Sequence, residues 1–355
     1  ELQKLRILDG RGRNGTWVIG DRSVTAPTRV ADVGNYGSDV LDLTLAVPDR
    51  ALLPPLAAAL AHGAGAEGLN SYARVTILPR LEAALRPIWP YEPEAMLATN
   101  GGYSAIYTLL HALSLHGASV AIEDPTALRH LDILENLGVR ILPVRCDAEG
   151  PLPSSLRDAV AQNPAVFLYQ PRLHSVTGQT VSARRMGEMA AILAGSATMV
   201  IEDDGLGDLS DAPPQSLGTV FPDRTVHVRS FSKTLGPDLR IAVLSGSTEM
   251  IGQVKAFRSF SSGWTSRILQ EATAWLLTDA ATLGIVAEAR RVYAARRKAL
   301  VDGLRAEGIP ALTGAGLCAW VPVHSERFAV VTLAARGIAA GPGSRFSLLQ
   351  DQRLR

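Results

Sequence analysis

Residues Ser230-Phe-Ser-Lys-Thr-Leu-Gly-Pro-Asp-Leu-Arg240 gather hydroxyls, a lysine amine and a guanidinium within one short stretch. They follow the apolar run Thr225-Val-His-Val-Arg229, which reads as a strand and would deliver them together to one edge of a sheet. The Lys233 amine can form a Schiff base with an aldehyde, while Ser230, Ser232 and Arg240 can hold phosphate oxygens. A ligand carrying both groups is pyridoxal 5'-phosphate. The competing reading is a polar surface turn, so the rest of the chain has to decide.

Three other stretches bear on the choice. Asn100-Gly-Gly-Tyr-Ser104 lies between a strand and a helix, where Gly101 and Gly102 let the backbone approach an anion at a helix N-terminus. A plain strand-to-helix turn fits that stretch equally well. Ile201-Glu-Asp-Asp-Gly205 ends an apolar run in consecutive carboxylates, one of which could pair with a protonated pyridine nitrogen; a solvated acidic loop or a helix cap is the alternative. Gln170-Pro-Arg-Leu-His-Ser-Val-Thr-Gly178 could bring a hydroxyl or the His174 imidazole to a ring edge, although a lone histidine is more often structural.

These stretches must be positioned by elements, and the pattern from residue 95 alternates short apolar runs with helical segments. Strands are expected at 95–98, 119–122, 140–144, 166–169, 198–201, 225–228 and 241–244, and helices at 102–115, 126–137, 153–161 and 181–194. That is an α/β domain with a mostly parallel sheet, whose ligands gather at strand ends. Residues 41–90 carry two helical patterns separated by 63–71, with Pro79 suited to a first turn. Residues 250–307 read as long helices, and the runs after Gly308 suggest a small α+β unit.

Composition sets outer limits. Hydrophobic residues make up 47% and charged ones 19% of the 355 residues, as in a globular protein with a large core. A net charge of +1 gives no overall pull toward nucleic acid. Cys146 and Cys318 fit neither a disulfide framework nor a zinc site. No apolar stretch reaches about 18 residues and the first residues lack a signal-peptide core, so a cytoplasmic protein without a membrane partner is expected. Gly10-Arg-Gly-Arg-Asn-Gly15 matches G-x-G-x-x-G, but the β-forming Thr16-Trp-Val-Ile19 follows it, so a hairpin turn is expected there instead of a dinucleotide fingerprint. Residues 21–40 read as a linker. Without an initiator methionine, the chain is expected to be a piece of something longer.

Taken together, the four strand ends complement different parts of one cofactor, and from about residue 41 onward the chain resembles the fold-type I pyridoxal-phosphate-dependent aminotransferases (class I/II). The resemblance implies that Lys233 forms the internal aldimine and that Asp203 binds the pyridine nitrogen. Ser230, Ser232 and Arg240 would hold the phosphate, with the backbone at Gly101, Gly102 and Tyr103. Tyr72, in Ser71-Tyr-Ala-Arg74, would reach the phosphate of a neighbouring subunit, which implies a homodimer. Arg355 would bind a substrate carboxylate. Further upstream, Leu5-Arg-Ile-Leu-Asp-Gly-Arg-Gly-Arg-Asn-Gly-Thr-Trp-Val18 is similar to the wing of a GntR-type winged helix. Winged helix, linker and aminotransferase-like domain are the arrangement of MocR-type regulators. The implied organisation is a wing remnant at 1–20, a linker at 21–40, a large domain at 41–270 and an incomplete small domain at 271–355, with DNA reached only through an upstream reader.

Three features depart from the family. Gly205 and Leu206 stand where a tyrosine usually contacts the cofactor's phenolic oxygen. Ser175 replaces an asparagine that contacts the same oxygen, and Ala127 replaces the aromatic residue that stacks on the ring. Retained binding with weakened tuning suits a sensor of pyridoxal phosphate or an amino acid better than a fast catalyst; an active aminotransferase is the alternative. A third reading, Ser230 as the nucleophile of an S-x-x-K enzyme, lacks the S-D-N and K-T-G elements that class requires.

Overall fold

The computed structural model describes residues 8–10, 16–18, 27, 29, 36–37, 39–312, 314–349 and 352–355. Strands β1 (Leu8–Gly10) and β2 (Thr16–Val18) pair antiparallel with Gly10 opposite Thr16, so strands flank the glycine-rich run on both sides, as a hairpin requires. The turn itself and most of the expected linker lie outside the described residues.

After β3 (Leu41–Leu43) come α1 (Leu56–Gly63) and α2 (Pro79–Leu85), which starts on Pro79. The chain then alternates through β4 (Ala95–Thr99), α3 (Gly102–Ala112), β5 (Ser119–Asp124), α4 (Leu128–Asn136), β6 (Arg140–Asp147) and β7 (Gly150–Pro151). Next are α5 (Pro153–Val160), β8 (Val166–Tyr169), α6 (Ala183–Leu193), β9 (Met199–Asp204), β10 (Thr225–Ser230) and β11 (Ala242–Gly246). Helices α7 (Thr248–Arg258), α8 (Arg267–Thr278) and α9 (Ala280–Ala306) lead to β12 (Val321–Pro322), α10 (Glu326–Ala334), β13 (Ile338–Ala340) and β14 (Arg353–Leu354).

One sheet runs β4-β11-β10-β9-β8-β5-β6-β7. From β10 to β6 every pairing is parallel; β11 runs antiparallel to both β10 and β4. Alternation along the strands sorts the side chains into layers. Leu97, Ile122, Leu168, Ile201 and Val228 face α3, α4 and α7. The intervening Ala121, Phe167, Tyr169 and Val200 face α5 and α6, while Met96, Ala98 and Val243 join the core made by α1, α2 and α8. The order reverses between β5 and β8, and the carboxyl ends around such a switch point form the crevice where ligands bind.

Helix α8 crosses residue 270 and buries Ala272, Ala274 and Leu276 beside Leu81 and Leu85. We therefore propose that the C-terminal unit be counted from Asp279. Within that unit β12 pairs with β14; it docks back on the rest of the chain where β13 pairs with β3 and where the Thr126 N–H donates to Phe346 O at 2.8 Å. The Leu348 N–H donates to Asp124 Oδ2 at 2.6 Å. These bonds carry Phe346 and Arg355 to the edge where the parallel strands end. Among the described residues no helix is long and apolar enough to cross a membrane.

Phe231 is fully buried between Ser230 and Ser232 and joins the core under α1, α2 and α8. Phe231→Ala is expected to destabilise the fold by about 3–5 kcal/mol in denaturant unfolding; a loss under about 1 kcal/mol would mean that the Lys233 segment is not held by that core.

Candidate functional site

A cavity of about 300 Å³ opens at the carboxyl ends of the strands, and Gly102, Tyr103, Ser175, Asp203, Ser230, Ser232, Lys233, Arg240 and Arg355 all border it. The convergence follows from topology. β4, β8, β9 and β10 end at this edge, β11 begins at it, and β14 is brought there by the C-terminal unit.

One corner suits a phosphate. Gly101 has φ 99°, a left-handed conformation that favours glycine, and α3 starts immediately after it. A Cβ on Gly101 would come within 2.9 Å of Arg240 Nη2, and one on Gly102 within 3.0 Å of the Ser230 Cβ. Side chains there would press on Arg240 and Ser230, and the first-turn N–H groups of α3 have no intrahelical acceptor. Arg240 donates to Asn100 O at 3.1 Å, and the Ser230 and Ser232 hydroxyls lie 3.4 Å apart.

Lys233 Nζ donates to Ala46 O. Burial holds its pKa below the ordinary lysine range; the Cys318 thiol opposes that shift, and the Arg355 and Arg129 guanidinia add to it. A larger share of neutral amine is the state a nucleophile needs.

At the far end Asp203 is nearly buried, and its Oδ2 accepts from Gln170 Nε2 at 3.0 Å and lies 3.3 Å from His130 Nε2. Glu202 and Asp204 point to the other face of β9. Glu202 accepts from the Tyr169 hydroxyl at 2.6 Å, the Ser216 hydroxyl at 2.6 Å and the Leu217 N–H at 2.7 Å. Asp204 is bound by Arg172 at 2.8 Å. Burial alone would raise the Asp204 pKa, but His227, Arg172 and Arg229 hold it well below the carboxylate range. Strand alternation therefore singles out Asp203 for the cavity.

Arg355 Nη2 donates to Ser175 O at 3.0 Å, and its guanidinium lies 4.5 Å from the Phe346 ring centroid. Tyr72 is not at this cavity: it is 88% exposed and meets Trp264 edge-on. Ala127, Gly205 and Leu206 border the cavity and supply neither a ring to stack nor a hydroxyl to donate. A larger, mainly apolar cavity of about 590 Å³ adjoins it at Leu45, Val47 and Arg355.

Sequence reasoning did not single out His130, Arg129 or the side chain of Gln170. His130 is fully buried in the first turn of α4, edge-on to Tyr103 at 5.6 Å, and the Arg129 guanidinium lies over that ring at 5.2 Å. The available signal was position: α4 follows β5 and so begins at the same sheet edge.

His174 is structural. Its Nδ1 accepts from the Val176 and Thr177 N–H groups, both at 3.1 Å, so Nε2 carries the hydrogen donated to Pro125 O at 2.9 Å. Burial pushes its pKa down to about 4. Because the folded pKa lies below the unfolded one, the unfolded chain binds the proton first. Stability is then intact above about pH 6.5 and is lost progressively as pH falls toward 4, by on the order of 3 kcal/mol. His174→Gln is expected to flatten that acid limb in urea titrations; an acid limb unchanged from wild type would contradict the assignment.

Residues 38–355 match the family of aminotransferases class I and II. Over 344 residues the chain is 33% identical to the vitamin B6 salvage pathway transcriptional repressor PtsJ of Salmonella typhimurium, covering 95% of this chain and 78% of that protein. It is 27% identical to the aspartate/prephenate aminotransferase of Thermus thermophilus, covering 94% of this chain and 90% of that enzyme. It spans half or less of two Bacillus subtilis HTH-type transcriptional regulators, YisV and YdfD. The fold superposes on an aromatic aminotransferase from Pyrococcus horikoshii with a TM-score of 0.81 at 22% identity, covering 90% of this chain and 91% of that one. The cavity's residues fit the family's cofactor, because an amine, a carboxylate and an anion corner border one space. The chain belongs to the aminotransferase class I and II family, whose cofactor is pyridoxal 5'-phosphate.

Proposed function

We propose that this chain is the pyridoxal-phosphate-binding, aminotransferase-like effector domain of a MocR/GntR-type transcriptional regulator, with Lys233 as the cofactor's anchor. The observation that carries the reading is the imbalance within one cavity. The groups able to hold a phosphate, an aldehyde and a ring nitrogen are all there, whereas positions 127, 205 and 206 offer no side chain that would tune the ring. Likeness to a vitamin B6 salvage repressor over 95% of the chain supports the regulatory half.

Bound pyridoxal phosphate supplies an aldehyde that an amine captures and a ring that withdraws electrons once its nitrogen is protonated. The residues divide that work. Ser230, Ser232, Arg240 and the N–H groups at Gly102 and Tyr103 hold the phosphate. Asp203 keeps the ring nitrogen protonated through Oδ1, the oxygen that Gln170 leaves free. Lys233 presents a depressed-pKa amine, and Arg355 offers its guanidinium to a carboxylate on an amino-acid ligand. Tyr72 and Phe260, 88% and 93% exposed, are suited to cover by a second copy in a homodimer, where Tyr72 would approach the neighbour's phosphate. DNA would be engaged through an upstream winged helix, and the protein would act in the cytoplasm.

A second reading, an active aminotransferase, is favoured by one observation: Lys233 and Arg355 border the same cavity, so an amine able to move a proton lies close to a carboxylate receptor.

Two measurements test these statements. Protein produced with ample vitamin B6 is expected to absorb in the visible and Lys233→Ala to lose that band; identical spectra would reject the anchor. Added amino acids are expected to perturb the wild-type band without stoichiometric release of a 2-oxo acid, and such release would replace the sensor with the enzyme.

A further inference from the structure

Gln170 follows β8 directly, is 1% exposed, and makes three hydrogen bonds whose direction is fixed by chemistry. The Ser175 backbone N–H can only donate, so the amide atom 2.9 Å from it is Oε1, which leaves Nε2 for Asp203 Oδ2 at 3.0 Å. The Ser175 hydroxyl also lies 2.8 Å from Oε1. An amide oxygen can only accept, so the single hydroxyl hydrogen of Ser175 is spent on Gln170.

The consequence concerns the cofactor's ring oxygen, so the inference rests on the reading of this cavity as a pyridoxal phosphate site. With the ring nitrogen at Asp203, the aldehyde carbon at Lys233 and the phosphate arm at the Gly102–Ser230–Arg240 corner, the phenolic oxygen falls on the opposite edge of the ring. Ser175, Gly205 and Leu206 border the cavity, and the family resemblance sets these positions beside that edge. Gly205 and Leu206 have no side-chain donor, which leaves Ser175 as the one hydroxyl there, and Gln170 holds its hydrogen.

We propose that Gln170 is a positioning residue that clasps Asp203 and Ser175 together, turning Asp203 Oδ1 toward the ring nitrogen and withholding the Ser175 hydroxyl from the phenolic oxygen. A phenolate without a donor is poorly stabilised, so the clasp keeps the bound cofactor in its more protonated form to higher pH. The titratable and charged groups around this pair include His130 on α4, Glu123 on β5, His174 after β8, Tyr103 on α3, Lys233 after β10 and Arg355 after β14. Substitution at 170 or 175 leaves all of them in place.

The test is a spectroscopic pH titration of the cofactor-loaded protein together with its thermal stability. Gln170→Leu frees the Ser175 hydroxyl, and the midpoint of the visible absorbance change is expected to fall by about one pH unit. Adding Ser175→Ala to that variant is expected to reverse most of the fall. Ser175→Ala alone is expected to leave the midpoint where it is, because its hydrogen is already committed, and it decides the matter even if Gln170→Leu proves too unstable to load. Three results overturn the inference: an unmoved midpoint in Gln170→Leu, a fall that Ser175→Ala does not reverse, or a rise in Ser175→Ala alone. Wild-type protein with no visible band removes the cofactor reading beneath it; a bound cofactor with an unmoved midpoint removes the clasp alone.

Discussion

The constraint on which the site depends is the two-residue period of β9 through Glu202, Asp203 and Asp204. Three adjacent carboxylates entering a sheet interior would repel one another and lose hydration at a cost of several kcal/mol each if left unpaired. The pleat separates them. Glu202 and Asp204 turn toward a face where His227 lies 2.8 Å from one and 3.5 Å from the other. Burial alone would lower the His227 pKa, but its bonds to Asp204 and Glu202 raise it, which favours a charged imidazole between two carboxylates with Arg172 beside them. That layer lets Asp203 occupy the opposite face, where Gln170 and His130 approach its Oδ2. Asp208 extends the layer by accepting from Arg172 at 2.9 Å and Arg229 at 2.7 Å, tying the end of β9 to β10, which leads into the Lys233 segment.

Much of this architecture was legible in the chain because two periods coincide with it. Each of the seven strands expected between residues 95 and 244 is present, with ends displaced by no more than three residues. The displacements are mostly extensions at carboxyl ends such as Glu123-Asp124, Asp203-Asp204 and Arg229-Ser230. Polar residues read there as loop, yet the parallel neighbours keep them in the ladder. The groups around Lys233 could be placed together because strand ends in an α/β sheet share an edge, and Arg355, nearly two hundred residues from Ser175 in sequence, meets it through the docking of Phe346 and Leu348 on the loop after β5.

What the chain could not disclose is the direction of side chains whose role depends on a distant partner. His130 reads as one polar residue in an amphipathic helix, and its function appears only when α4 is seen to start beside Asp203. Gln170 reads as a strand-terminal polar residue; its two ends acquire meaning from Ser175 five positions on and from Asp203 on the adjacent strand. His174 beside it looked equally able to reach a ring. Two backbone N–H groups and the Pro125 carbonyl consume both its nitrogens instead.

The departures at 127, 175, 205 and 206 are coherent once seen together. Leu206 packs with Leu173, Leu209 and Tyr293, so the wall beside the ring is apolar core rather than a vacancy awaiting a hydroxyl. A Cβ at Gly205 would stand 3.2 Å from Asp203 Oδ1, so the small residue there keeps that oxygen uncrowded, as the proposed contact with a ring nitrogen would need. Ala127 is buried, and no aromatic lid covers the ring from that position. On the proposed reading, a site built this way would grip its cofactor at three points, the phosphate corner, Lys233 and Asp203, and leave the ring's electronics largely to itself. Tight holding with little stabilisation of a charged transition state is what differential binding arguments associate with recognition instead of rate. On that reading, anchoring without tuning is set in one cavity by the same strand alternation that isolates Asp203.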